Sequence, residues 1–551
     1  MTPTPVPATI AARPVRGRHG AVASPHHLAT QAGVQVLRSG GSAVDAAIAV
    51  NAALAVVAGH SCGLGGDAFW IIWDAERAEA VTLNGSGRSG SRATIEAARA
   101  AGHQRMPERG PWSVTVPGGV DSWGEAHRRF GRLDWSTLLA PAVDLASGFP
   151  ASPGWLEAVK RSAGIFGLEG DWARVYGPHE PARAPGDIVR LPALERTLRV
   201  LSAEGAEAHY RGAIARSTAS YLASRGVPIG AADLAAHTSE WAAPIRLDYR
   251  GTTALSHAPN SVGVVALQTL GLLERLGAPQ RSAWDGRGWD DAEWVHLGLE
   301  ASRVALAERD AHVTDPAWME AGETEAMLAP DHLDALAGRI DPMRAMPLDA
   351  GTLPGGGGTV YVTATDRQGN AVSLLESNYQ GFGSGLVDPS TGIAFHDRGA
   401  FFRLDPDHPN ALAPGKRPAH TLAPGMLLRD GRPWVVHGSM GGEIQPQIFA
   451  QVVSAVVDGG ADVATAVAAP RWAAMMREQH GPADRTEVES RVHDHLLEAL
   501  RAKGHAVVVR EPWSSSMGHA HAIEIVRDAN GDVVSYAAGA DPRSEGSAAA
   551  W

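Results

Sequence analysis

Four consecutive glycines, Gly355 to Gly358, stop abruptly at Thr359, and the residues from Val360 to Asp366 then alternate apolar and polar like a half-buried strand. A threonine at the head of a strand, behind a pliable tether, has the makings of a nucleophile. Cutting the chain in front of it would expose a hydroxyl and an amine on one residue. A glycine-rich loop entering an ordinary strand explains the same stretch, and taken alone the stretch favours the loop.

Other residues could join such chemistry. Met440-Gly441-Gly442 lies between a strand-like run, Trp434 to His437, and a helix beginning near Ile444. Paired glycines there leave two N–H groups free for an oxyanion, although a helix entry that needs small residues accounts for them equally well. Arg88, in a glycine-rich turn, can grip a carboxylate through a bidentate pair or simply be solvated. Gly59-His60-Ser61-Cys62-Gly63 matches G-x-S-x-G, but a nucleophile elbow needs a strand before the serine and a helix after it. Here a helix precedes and a strand follows, so a plain turn is the better reading. His493/His495 and His519/His521 alternate as on one strand face, without an H-E-x-x-H, paired cysteines or a third ligand, and no metal is expected. Lys416-Arg417-Pro418 is not part of a P-loop.

The elements that must position these residues follow from periodicity. Ala21 to Pro25 reads as a strand after a disordered arm, His27 to Leu37 as a helix, and Ala43 to Val57 as an Ala-rich helix capped by Ser42. Ala68 to Asp74 and Ala80 to Leu83 form a hairpin pattern. From Val120 to about Pro330 the chain is mainly helical, as in Trp135 to Ser147, Leu194 to Glu204 and Trp294 to Asp310, with one strand-like interlude from Ile245 to Leu255. Gly338 to Gly358 reads as a mobile linker. After Thr359 come short strands, with helices over Ile444 to Asp458 and Val463 to Ala469, which is an α+β texture.

The chain has 551 residues, 44% hydrophobic, and a net charge of −12 without a basic stripe, which argues against a nucleic-acid partner. The single Cys62 excludes an internal disulfide and a Cys-rich zinc site. The absence of a signal-peptide pattern and of any apolar run of about 18 residues leads to the expectation of a cytoplasmic protein with no membrane partner.

Several pieces together resemble the γ-glutamyltransferase family of N-terminal-nucleophile (Ntn) hydrolases. They include Gly40-Gly41-Ser42-Ala43-Val44-Asp45-Ala46-Ala47, Gly63-Leu64-Gly65-Gly66-Asp67, Val116-Pro117-Gly118-Gly119, Gly358-Thr359, Gly381-Phe382-Gly383-Ser384-Gly385, Pro414-Gly415-Lys416-Arg417-Pro418 and Met440-Gly441-Gly442, in the family's order. The resemblance implies a four-layer αββα sandwich formed jointly by two chains, after self-cleavage between Gly358 and Thr359 into residues 1–358 and 359–551, which stay together as a heterodimer. It implies acyl transfer from a small amide substrate, as in a γ-glutamyltransferase or glutathione hydrolase, with no cofactor. Thr359 would be the nucleophile, Ser377 its orienting hydroxyl and Gly441 and Gly442 the oxyanion donors. Arg88, Tyr379, Arg398, His420 and Thr421 would bind substrate. Phe401 stands where the family has an acidic residue for the substrate ammonium, a departure that resembles the acylase-like branch acting on glutaryl or oxamate-type amides. A non-catalytic binding relative is the reading from another class.

Overall fold

The computed structural model describes residues 13–177, 184–277, 289, 291–346, 358–475 and 485–551. Two seven-stranded sheets form its centre. In the first, the order is Ser547–Ala550, Ala21–Ser24, Gly358–Thr365, Ala371–Tyr379, Asp67–Asp74, Glu79–Gly85 and Glu240–Ala242. In the second it is Val15–Gly17, Val533–Ala540, His519–Arg527, Arg432–Met440, Gly425–Arg429, Thr252–Ser256 and Ile245–Tyr249. The sheets face each other across a layer that includes Ile71, Trp73, Met426, Val436, Ile523 and Tyr536.

Helices cover both outer faces, giving the order helix, sheet, sheet, helix. Ala43–Val57 is buried along its whole length against the first sheet, where its small residues let it approach closely, and Ser42 with Asp45 closes a capping box at its start. Gly263–Arg275 and Gln445–Val457 pack on the second sheet.

This layering corrects one expectation. The strand Gly358–Thr365 is buried on both faces, not half-buried. Val360, Val362 and Ala364 face the helical layer. Tyr361 enters the cluster with Phe69, Leu375 and Leu422 on the other face. On that face Tyr361 Oη meets Ser373 Oγ at 3.1 Å.

Most of the expected elements appear within a few residues of their bounds. Ile245 to Leu255 is a hairpin, not one strand, because Arg250 and Gly251 turn the chain with φ of 48° and 78°. The expected disordered arm contains the strand Val15–Gly17, paired to Val533–Ala540. The expected mobile linker is pinned over its first part: the Met346 N–H donates to Glu300 Oε2 at 2.8 Å and the Ala345 N–H to the Lys503 carbonyl at 2.8 Å. Residues 347–357 lie outside the described residues. Among the described residues no helix is long and apolar enough to cross a membrane.

Candidate active site

The first sheet sets Thr359 opposite Ser377, with a register shift between Gly358 and Thr359. Thr359 Oγ1 lies 2.9 Å from Ser377 Oγ, and the Ser377 hydroxyl donates to the Gly358 carbonyl at 2.6 Å. A serine has one hydroxyl proton, so with that proton on Gly358 the contact to Thr359 is donated by Thr359. The Tyr379 N–H, turned inward by a φ of 72°, donates to Ser377 Oγ at 2.8 Å. One hydrogen-bonded line therefore runs from the Thr359 hydroxyl through Ser377 to the carbonyl in front of Thr359. Gly358 is glycine for want of space: a Cβ would lie 2.9 Å from the backbone C and O of Gln380.

At the end of the strand Arg432–Met440, Gly441 and Gly442 take φ of 151° and 59°, in the region that favours glycine. A Cβ on Gly441 would also meet Ile444 Cγ1 at 2.9 Å. Neither N–H is used in a backbone hydrogen bond among the described residues, and Gly441 lines the same cavity as Thr359.

Arg398 is 1% exposed and lies between two rings, its guanidinium carbon 4.1 Å from the centre of Tyr379 and 5.0 Å from that of Phe401. Nη2 donates to Thr421 Oγ1 at 3.2 Å, while Nε and Nη1 have no partner among the described residues. Burial pushes the guanidinium down to about 10. Two unused donors on a buried cation make a seat for an anion. His420 lies below it, against Phe69 and 3.3 Å from Asp67 Oδ2. Burial, with Arg398 nearby, lowers the imidazole to about 3 and keeps it neutral. Burial opposes the charge of Asp67, but His396, His420 and the Gly118 N–H outweigh it and hold the carboxyl below its usual range.

Gly358, Thr359, Ser377, Tyr379, Arg398 and Thr421 are thus joined by direct contacts, with His420 beneath them. Arg88 is not part of this group. Its Nη1 donates to Asp315 at 3.0 Å and to the Gly415 carbonyl, and its Nη2 pairs with Glu240 at 2.9 Å. Two carboxylates already occupy the charge that was expected to grip substrate.

Sequence reasoning passed over two groups near Thr359. Glu376, one residue before Ser377, points to the opposite face, where it accepts the Gly63 N–H at 3.1 Å; burial raises its carboxyl to about 8. His60, inside the G-x-S-x-G match, lines a cavity of about 620 Å³ together with Thr359. As expected of that motif, the serine follows a helix; the turn is fastened by the Asn378 N–H to the Ser61 carbonyl and the Phe382 N–H to the His60 carbonyl.

Among the described residues, the side chains whose donor atoms converge as metal ligands would are His296, Glu300 and His505. The imidazoles are already engaged. His296 Nε2 meets the Asp341 carbonyl at 2.9 Å, its Nδ1 meets His505 Nε2 at 2.8 Å, and His505 Nδ1 meets Thr486 Oγ1 at 3.1 Å. Binding an ion would break that chain of bonds.

Residues 29–551 match the model of the family described as gamma-glutamyltranspeptidase. The chain is 39% identical over 541 residues to an oxamate amidohydrolase proenzyme of Klebsiella pneumoniae, covering 97% of this chain and 98% of that one. It is 36% identical over 536 residues to the glutathione hydrolase-like YwrD proenzyme of Bacillus subtilis, covering 97% and 99%. The crystal structure of a cephalosporin acylase from Bacillus halodurans superposes with a TM-score of 0.88 at 34% identity, over 100% of this chain and 99% of that one.

Proposed function

The chain belongs to the gamma-glutamyltranspeptidase family and is an amide hydrolase, and from that premise we propose a self-processing enzyme that acts on small amides carrying a carboxylate but no α-ammonium. The observation that carries the first half is the line Thr359–Ser377–Gly358. Thr359 Oγ attacks the Gly358 carbonyl carbon and passes its proton to Ser377, whose own proton goes to the carbonyl oxygen. The Gly358–Thr359 C–N bond then breaks as the nitrogen takes a proton, and water hydrolyses the ester left on Thr359.

The products, residues 1–358 and 359–551, would remain a heterodimer. In the first sheet, Ala21–Ser24 of the first piece lies between Ser547–Ala550 and Gly358–Thr365, which belong to the second piece apart from Gly358 itself. Dissociation would break the ladders on both sides. Freed, the Thr359 amine has an ordinary pKa of about 8 and serves as base for its own hydroxyl. Attack on a substrate amide carbonyl gives an oxyanion for the N–H groups of Gly441 and Gly442, the amine departs, and water or a second amine releases the acyl group.

Arg398 carries the substrate half of the reading, with its unpaired Nε and Nη1 receiving the carboxylate. The guanidinium is walled by Tyr379, Phe401 and the Thr421 hydroxyl, so a substrate ammonium placed there would be repelled by its positive charge. The names of the Klebsiella and B. halodurans relatives, an oxamate amidohydrolase and a cephalosporin acylase, support an amide other than a γ-glutamyl one. A γ-glutamyl substrate is the second reading, supported by the name of the B. subtilis relative. A non-catalytic relative would have no use for an intact proton line.

Intact mass spectrometry tests the processing: two fragments are expected, with Thr359 as a new N-terminus, and a Thr359→Ala variant stays one chain. A folded wild type that remains uncut overturns the reading. Turnover of glutaryl, oxalyl and γ-glutamyl anilides then tests the substrate. Preference for the γ-glutamyl compound would favour the second reading.

A further inference from the structure

The cavity beside Thr359 is far larger than a small carboxylated acyl group needs, and Arg398, Tyr379 and Thr421 are not part of its lining. Thr359 and Gly441 are. The acyl half of a substrate held by Arg398 therefore leaves the other half, across the scissile bond, to this cavity.

Three imidazoles line it with unsatisfied nitrogens. His26 is 3% exposed and caps the helix His27–Arg38, its Nδ1 accepting the Leu28 N–H at 3.3 Å. Burial pushes its pKa down to about 4, so the ring is neutral, its proton lies on Nε2, and that N–H has no partner among the described residues. His60 Nδ1 and His519 Nε2 are also unpartnered, in rings that burial likewise keeps neutral. The cations of the lining are mostly committed: Arg485 and Arg510 to Glu487, Arg543 to Glu489 and Asp541. Glu545 is different. One oxygen accepts the Gly154 N–H at 2.7 Å at a helix start, and no arginine or lysine pairs with the carboxylate among the described residues.

We propose that this cavity seats the amine half of the reaction, as leaving group or acceptor, and selects amines that carry an additional ammonium group. Glu545 supplies the charge partner, and the unpaired nitrogens of His26, His60 and His519 supply hydrogen bonds. The inference rests on the acyl-transfer reading of Thr359. In the forward step the scissile C–N bond breaks and the departing nitrogen takes the proton held by the Thr359 amine. In transfer, an acceptor nitrogen attacks the ester carbon, the C–O bond to Thr359 breaks, and the acceptor's proton returns to Thr359.

The test uses processed enzyme and two anilides of the same acyl group, glutaryl or oxalyl, whichever turns over faster. One is the 4-(aminomethyl)anilide and the other its uncharged isostere, the 4-ethylanilide. The ratio of their kcat/KM values is internal to each enzyme form and does not depend on how much of it is folded. The wild-type ratio should be about ten in favour of the ammonium, a size expected of one partly solvated ion pair, and Glu545→Gln should bring it close to one. A wild-type ratio near one, or a ratio that Glu545→Gln leaves at its wild-type value, overturns the proposal. Failure of the processed wild type to turn over any anilide would instead overturn the function reading, and this inference with it.

Discussion

Replacing Arg398 with methionine separates the two roles of a buried cation, because the residue should matter greatly for substrate and little for stability. Burial brings the guanidinium down from its ordinary value to about 10, which corresponds to about 3 kcal/mol of unfavourable burial for the charged form. Stacking on Tyr379 and Phe401 offsets about 1 kcal/mol for each ring, and the Thr421 hydrogen bond about 1 more. Methionine keeps the apolar contact and removes the desolvated charge, so stability should change by only about 1 kcal/mol in either direction. Binding behaves otherwise. A substrate carboxylate left without the partner that Nε and Nη1 would provide loses about 2–5 kcal/mol, or about 30- to 5,000-fold in kcat/KM. The assay compares a carboxylated anilide with its neutral carboxamide. Wild type should prefer the carboxylate strongly, and Arg398→Met should treat the two alike. Since the guanidinium keeps its proton up to about pH 10, it should give the preference no pH dependence at neutral pH. A folded Arg398→Met that keeps both kcat/KM and the preference refutes the assignment; a loss of more than about 3 kcal/mol in denaturant unfolding refutes the accounting for burial.

Three further outcomes are expected. Ser377→Ala removes the donor to the Gly358 carbonyl and the acceptor of the Tyr379 N–H, so self-cleavage followed by mass spectrometry should slow about 10- to 100-fold, with Ser377→Thr, which keeps a hydroxyl, recovering part of the rate. Gly358→Ala, made in the uncut Thr359→Ala chain to separate folding from processing, sets a Cβ 2.9 Å from the Gln380 backbone and should cost about 1–3 kcal/mol in thermal unfolding. Glu376, held near 8, keeps a proton that the unfolded chain releases above its ordinary value of 4.5. At this group the native state thus binds more protons between these values, and its contribution to stability falls as pH rises, by up to about 1.4 kcal/mol per pH unit; the buried imidazoles of His26, His60, His420 and His519 act in the opposite direction below about pH 6.5, so the fall is read between about pH 7 and 8. Denaturant unfolding between about pH 7 and 8 should show that Glu376→Gln removes most of this slope, Asp397, which burial raises to about 7, contributing a smaller part.

Local order along the chain was legible in the sequence wherever the signal is itself local. The Ser42 cap, the hairpin around Asp67–Asp74 and the alternation after Thr359 depend on residues a few positions apart, and they were read nearly to their bounds. The short strands Glu240–Ala242 and Ser547–Ala550 were missed because each is fixed by a distant partner. The motif order likewise singled out Thr359, Ser377 and the paired glycines.

What the sequence could not decide was which charges are free. Arg88 and Arg398 are equally arginine in a string of letters, yet folding gives Arg88 two carboxylates and leaves two donors of Arg398 buried and unpaired. Glu240 and Asp315 lie 152 and 227 residues from Arg88, beyond any local pattern. The same holds for the cavity, where His26, His60, His519 and Glu545 meet only after two sheets close on each other. The sequence by itself determined where a nucleophile could stand. Only the tertiary structure, by pairing some charges and burying others without partners, decided which groups remain to meet a substrate.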